Sequence, residues 1–496
     1  MTIPAPATVA RPGPARVREA LVAGALLALV FLAYRFSPER DLLDAKYALL
    51  TSEALVTKRS WNLAPYFPAL AASASAESTE ERKMPWQLHA VDGRLAYLYP
   101  PGTPLLSAPF FAVLRLFGGS NLDRHGGYSM ARERQLQALL ASLFTTGAVL
   151  LGFRIARREL PPAPAATVAL VAGFSTGYWS VASRTLWSHT WSAVLLSAAL
   201  LELVRWEDGA RRRPALLGAI LAAAFWVRPT NSFSAAAFTL VVAWRYRALL
   251  PKLVAAGAAG GALYVLFARE VFDAWFPPYL GYVVPRGRHH PAAAFVGELF
   301  SAEHGLIIFT PVLLAVAWAL ARNRVAPERR VVAALALGLV AFYLVYHSWR
   351  AHWWGEGTVG PRYLCDVTPY LLWLSAHAWR RARERPSPGA LGIWPPRLAL
   401  ALLVAAGVAA HATGTLHVRP GQVAGRPRNV RFETIARIGS AEYWRKLPQV
   451  SVGSWLAAHA AEEVGAAPPK PKRSGQRRRA PRHAEKQGAD EWGEEE

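Results

Sequence analysis

Long apolar runs separated by short polar segments dominate this chain. They can be read at 18–36, 136–154, 163–182, 187–204, 214–228, 230–245, 252–272, 305–321, 330–348, 364–380 and 397–414. Crossing about 30 Å of hydrocarbon takes about 20 helical residues, and most of these runs approach that length. The pattern predicts an all-α, polytopic transmembrane helix bundle of about eleven spans. A further apolar stretch, Thr103–Phe117, is shorter and carries Pro104 and Pro109. It reads as a helix lying in the outer interface rather than crossing.

Composition strengthens this picture. Apolar residues make up 53% of the 496 positions and charged residues 18%, too apolar a balance for a string of soluble domains. Basic residues precede the first run and no small-residue cleavage site follows it, so it is expected to be a helix and not a cleaved signal. The single cysteine, Cys365, excludes an internal disulfide.

Arginine and lysine in short loops mark the cytoplasmic side. Arg11, Arg16 and Arg18 precede the first span, and Arg154, Arg157 and Arg158 follow the second. Later clusters are Arg205 with Arg211–Arg213, then Arg245, Arg247 and Lys252, then Arg322, Arg324, Arg329 and Arg330, and last Arg380, Arg381, Arg383 and Arg385. All fall on one side only if Thr103–Phe117 does not cross. The net charge of +23 is thus no nucleic-acid signal. Much of it is inner-loop charge, and much of the rest lies in the tail 468–496, which lacks an apolar period and is expected to be disordered. Eleven crossings put that tail outside, whereas its basic character belongs inside.

The outer segments then hold nearly all the unusual residues. They are a long first loop, 37–135, a second at 273–304, a third at 348–363, and two tight turns, at Ser183–Thr185 and Arg228–Asn231. Asp41 and Asp44 follow the first helix, and Tyr99-Pro100-Pro101 comes later in the same loop. Arg184 and Arg228 occupy the two turns, and His189 lies just beyond the first. The second loop carries Arg286, Arg288, His289, His290 and His304, and the third carries Arg350, Trp353, Trp354, Arg362 and Tyr363. A carboxylate at a helix end suits a general base, and guanidinium groups suit phosphate. Aromatic rings suit sugar faces and the headgroup layer alike. Together they point to chemistry on a lipid-linked phosphosugar.

Each residue also has a plainer reading. Asp41 and Asp44 can cap the first helix, Arg184 and Arg228 can snorkel, and His189 can be a hydrogen-bonded bundle histidine. The Trp-rich third loop can be an interfacial belt. His289-His290 is adjacent rather than helix-spaced, and no residue set has clear metal-ligand spacing, so a divalent metal is possible but not indicated. The case rests on joint location.

The order of segments resembles bacterial GT-C-fold glycosyltransferases, the group containing protein O-mannosyltransferases and lipid A aminoarabinose transferases. The match begins at Asp44-Ala45-Lys46-Tyr47-Ala48-Leu49-Leu50-Thr51 and continues at Tyr99-Pro100-Pro101-Gly102-Thr103-Pro104-Leu105-Leu106. It extends through Arg132–Glu202 and ends at Gly360-Pro361-Arg362-Tyr363. The resemblance implies inverting transfer from a polyprenyl-phosphate sugar at the periplasmic face, with Asp44 as general base. Many members carry Asp-Glu, whereas Ala45 follows Asp44, so Asp41 one turn earlier stands as a second candidate. The Lys-Pro-Pro of some relatives is here Tyr99-Pro100-Pro101, leaving Arg184, Arg228, Arg350 or Arg362 for the donor phosphate. Tyr99, His189, His304, Trp353, Trp354 and Tyr363 are the expected substrate-binding residues.

The expected organisation is a cytoplasmic N-terminus (1–17), a transmembrane domain (18–414), a C-terminal segment (415–467) and the charged tail. Expected partners are membrane lipid, the polyprenyl-phosphate donor and a glycan, lipid or protein acceptor, in a bacterial inner membrane. Two other classes stand beside this one, a transporter or flippase of lipid-linked glycans and a non-enzymatic scaffold. The first should show internal repeats and broken helices near the midplane, and no repeat is visible.

Overall fold

Apolar runs of this length bury their backbone polar groups by coiling, and the computed structural model is accordingly mostly helical. It describes residues 14–38, 40, 42–75, 84–282, 291–350, 353–355, 358–384, 397–416, 444 and 447–449. Asp41, Arg286, Arg288, His289, His290 and the tail 468–496 lie outside the described residues.

The helices are α1 (Pro14–Phe36), α2 (Ala48–Lys58), α3 (Pro68–Ser75), α4 (Gly102–Leu116), α5 (Met130–Ala156), α6 (Pro162–Phe174), α7 (Ser188–Glu207) and α8 (Pro214–Val227). There follow α9 (Ser232–Arg245), α10 (Leu250–Phe272), α11 (Pro291–Phe300), α12 (Leu306–Phe309), α13 (Val312–Arg322), α14 (Arg330–Ser348), α15 (Thr368–Glu384) and α16 (Arg397–Ala412). Among the described residues four helical stretches are long and apolar enough to cross a membrane, Val17–Phe36, Met130–Ala156, Arg247–Phe272 and Pro327–Ser348, which marks the chain as a membrane protein. Other apolar helices are shorter, among them α4, α6, α8, α13 and α16.

Two apolar runs are not single helices. The run 163–182 breaks after Phe174 at Ser175-Thr176-Gly177, and the run 305–321 breaks at Thr310-Pro311, where proline offers no N–H. The two breaks meet, since the Thr310 hydroxyl donates to the Ser175 carbonyl at 2.8 Å. The run 364–380 opens as a tight turn, Arg362–Val367, before α15 begins.

The first long loop holds one element that the all-α expectation omits, an antiparallel hairpin of β1 (Leu88–Val91) and β2 (Arg94–Tyr97). Its two-residue turn is Asp92-Gly93, both at positive φ (47° and 75°), which suits the strand twist. The Asn62 side chain fastens β2 to the loop before α3 by accepting from the N–H of Leu95 at 3.0 Å and of Ala64 at 2.9 Å. Helix α4 follows and packs so closely on α8 that a Cβ on Gly102 would meet the Trp226 carbonyl carbon at 2.4 Å.

Ion pairs join four of the arginine clusters at one end of the bundle. Arg329 binds Glu159 at 2.8 Å and Asp208 at 2.7 Å, Arg158 binds Asp208 at 3.4 Å, and Arg380 binds Glu159 at 3.1 Å. The loops following α5, α7 and α13 and the C-terminal part of α15 are therefore neighbours. Helices α5 and α7 run from the opposite end, where Glu133 and Ser188 lie.

Candidate functional site

At that opposite end a cavity of about 310 Å³ is lined by residues from five separate segments. The first loop contributes Asp44, Trp86, Tyr97 and Tyr99, the turn before α7 contributes Trp187 and Ser188, and the α8–α9 turn contributes Arg228 and Thr230. Tyr279 comes from the second loop, and Arg350, Arg362 and Tyr363 from the third. Six of the expected site residues thus share one cavity: Asp44, Tyr99, Arg228, Arg350, Arg362 and Tyr363.

Asp44 sits in a one-turn helix, Leu43–Ala45, between α1 and α2. The Arg362 guanidinium pairs with its carboxylate. The surrounding backbone is held at every step. Gln87 donates to the Leu43 carbonyl at 3.1 Å, Tyr97 to the Asp44 carbonyl at 2.7 Å, and Gln137 to the Ala45 carbonyl at 2.8 Å. Glu133, buried at the start of α5, accepts from the N–H groups of Tyr47, Leu49 and Leu50 at 3.0–3.3 Å, satisfying the open N-terminus of α2. Leu43 and Tyr47 both take positive φ (35° and 73°), a conformation that costs about 1–3 kcal/mol each and persists only where its surroundings hold it.

Three guanidinium groups gather around the Tyr363 ring, with Arg350 at 4.9 Å, Arg228 at 5.6 Å and Arg362 at 6.0 Å from its centroid. His347 stacks on the same ring at 5.0 Å, and Arg362 also lies over Trp187 at 3.9 Å. Behind the cavity, fully buried Asp366 pairs with the Arg228 Nε at 2.7 Å and with the His189 Nδ1 at 3.2 Å. Arg228 Nη1 lies 3.2 Å from His189 Nε2. A guanidinium only donates, so Nε2 accepts and the proton sits on Nδ1, facing Asp366.

Among the described residues three guanidiniums face two carboxylates, Asp44 and Asp366, an excess of one cation. Among the described residues Arg350 has no carboxylate partner. The other wall is aromatic, with Tyr99 packed 5.3 Å from Tyr279, 5.7 Å from Tyr97 and 5.8 Å from Trp86. Burial raises the hydroxyls of Tyr97, Tyr99 and Tyr279, and the Asp44 charge adds to the rise, so all three stay neutral donors.

Asp41 lies outside the described residues, and the other expected residues sit elsewhere. His189 lies beneath the cavity, not on its wall, because it completes the Arg228–Asp366 cluster. Arg184 is buried in the turn before α7 and does not reach the cavity. Trp353 and Trp354 form a cluster with Ala294, with Trp353 seated where Gly297 of α11 leaves room, so they pack rather than line the site. His304 donates from Nδ1 to the Gly360 carbonyl at 3.2 Å and braces the third loop. Asp366, Trp187, Tyr97 and Tyr279 complete the site without being among the expected site residues, although Tyr97, Trp187 and Asp366 lie within three positions of Tyr99, His189 and Tyr363.

No protein-family model matches the chain, and no curated protein matches it. Fold and site together define a mostly helical membrane protein with a cation-lined, aromatic-walled cavity at one end.

Proposed function

We propose that the protein is an integral membrane glycosyltransferase of about eleven spans, moving a sugar from a polyprenyl-phosphate donor to a cell-envelope acceptor at the periplasmic face of a bacterial inner membrane. One observation carries this reading: a carboxylate and three guanidiniums from segments far apart in sequence line one cavity beside packed aromatic rings. The resemblance of the Asp44 and Tyr99-Pro100-Pro101 segments to GT-C-fold enzymes supports it. So does the gathering of basic loops at the far end of the bundle, where the positive-inside rule puts cytoplasm.

The donor's phosphate diester binds among Arg228, Arg350 and Arg362, and the sugar lies against Tyr99 and Tyr279. An acceptor hydroxyl or amine attacks the anomeric carbon from the face opposite the phosphate, and Asp44 takes its proton. The bond from the anomeric carbon to the phosphate oxygen breaks, releasing the polyprenyl phosphate as a monoester. Charge on the phosphate grows as that bond breaks, so the arginines bind the transition state more tightly than the ground state. Before this, Asp44 is paired with Arg362. The arriving phosphate competes for Arg362 and leaves the carboxylate available as a base.

Purified protein reconstituted in lipid, supplied with labelled polyprenyl-phosphate sugars and an envelope-glycan fraction, is expected to release polyprenyl phosphate and label the acceptor. No release with any donor of a broad panel sinks the reading and turns attention to transport of lipid-linked glycans. Arg362→Ala is expected to raise the apparent donor constant by about 10–100-fold, the worth of one charge-assisted hydrogen bond. An unchanged donor constant would remove Arg362 from the phosphate site.

Sidedness has its own check. In a Cys365→Ala background, a cysteine at Arg124 should react with an impermeant reagent from the periplasm and one at Arg211 should not. Both positions are exposed to solvent. Equal reactivity at the two would refute the orientation.

A further inference from the structure

The far end of the bundle holds a second hollow, of about 430 Å³, lined by Glu19, Arg154, Arg157, Arg158, Leu201 and Arg205. We propose that it binds the phosphate of an anionic phospholipid headgroup. The inference does not depend on the glycosyltransferase reading.

Charge is the first argument. Arg157 pairs with Glu19 at 3.1 Å, Arg158 with Asp208 at 3.4 Å, and Arg205 with Glu202 at 3.6 Å. Two of those carboxylates are held more tightly by arginines outside the hollow. Glu202 lies 2.6 Å from Arg213, and Asp208 lies 2.7 Å from Arg329. Among the described residues Arg154 has no carboxylate partner, and Arg157 Nε is buried without a hydrogen-bond acceptor. Four guanidiniums therefore face one carboxylate of their own, Glu19, in a concave site, and planar forks of this kind bind phosphate oxygens in pairs.

Position is the second argument. Helix α7 begins at the cavity with Ser188 and reaches the hollow at Arg205, a rise of about 26 Å at 1.5 Å per residue. Glu19 stands about as far from Phe36 along α1, also about 26 Å. That separation is close to the hydrocarbon thickness of a bilayer, about 30 Å, which sets the hollow at the opposite headgroup layer. Helix α1 turns Glu19 toward the bundle on the same face as buried Leu26 and Val30, while its other side exposes Leu21, Leu29 and Leu32, apolar surface at the depth of the acyl chains. Basic pockets between helices at this depth suit acidic headgroups.

The test compares thermal unfolding of the delipidated full-length protein in neutral detergent after adding phosphatidylglycerol, phosphatidylcholine or inorganic phosphate. Phosphatidylglycerol is expected to raise the midpoint in a concentration-dependent way, as binding to the folded state requires. Phosphatidylcholine and phosphate should leave it nearly unchanged. The pair Arg154→Gln with Arg205→Gln should weaken the phosphatidylglycerol response at least tenfold while leaving the lipid-free midpoint in place. The pair Arg211→Gln with Arg324→Gln, exposed at the same end but outside the hollow, should keep the response. Equal stabilisation by phosphatidylcholine, or equal loss in both variant pairs, overturns the site. A response to phosphate alone as large as that to phosphatidylglycerol overturns the lipid assignment.

Discussion

Asp44→Asn is expected to slow sugar transfer by about 10²–10⁴-fold, the usual contribution of general base catalysis. The substitution keeps the size of the side chain and its hydrogen-bonding capacity but cannot accept the acceptor's proton. Its effect should fall on turnover. Removing the carboxylate frees Arg362 from its partner, so the apparent donor constant should stay level or fall. Asp41→Asn is the comparison and should cost less than about tenfold, under about 1.4 kcal/mol of barrier. Steady-state rates of the two variants with a saturating donor decide the matter. Near-normal turnover in Asp44→Asn with collapse in Asp41→Asn moves the base by one turn. Near-normal turnover in both leaves the proposed enzyme without its base.

The second large effect is on stability. Asp366→Leu leaves the Arg228 guanidinium buried without its carboxylate and His189 without its acceptor. Breaking a buried pair in this way costs about 3–5 kcal/mol, because the remaining charge is uncompensated. The unfolding midpoint in detergent should drop by several degrees. Adding Arg228→Met removes the stranded charge and should restore much of the midpoint, since apolar replacements of buried pairs are often neutral. Activity should not return with it, because Arg228 lines the cavity. A midpoint in Asp366→Leu equal to wild type would show that Arg228 reaches water or another anion.

Much of the cavity was legible because its residues sit at the ends of apolar runs, where the chain must turn. Asp44, Tyr99, Arg228, Arg350, Arg362 and Tyr363 all interrupt or flank such runs. Asp366 was not legible for the converse reason: it lies within the apolar stretch 364–380 and shows no local sign that Arg228 will meet it. Trp353 and Trp354 read as a surface rim, but Gly297, some fifty positions earlier, opens a slot for Trp353. The hairpin was legible and passed over. Its Asp92-Gly93 pair between two short apolar stretches is a strong short-range turn signal. Helix ends are read less well than helix existence. Run 330–348 matches α14 residue for residue, while 163–182 and 305–321 hide breaks at polar residues or proline that an average over the window smooths away.

The fastening of the turn around Asp44 has one more consequence, and it concerns timing. With the Leu43, Asp44 and Ala45 carbonyls and the Tyr47 N–H all bonded, the backbone there has little freedom left to lose. Its ordering is settled once, at folding, so in the proposed mechanism it need not be repeated in each turnover. The Asp44 side chain itself remains partly exposed. Exchange of its carboxylate between Arg362 and an incoming acceptor then needs only a side-chain rotation, a motion of picoseconds to nanoseconds. A toggle that fast does not limit turnover. On the proposed glycosyltransferase reading, the slow steps would then be bond breaking and donor exchange rather than this toggle.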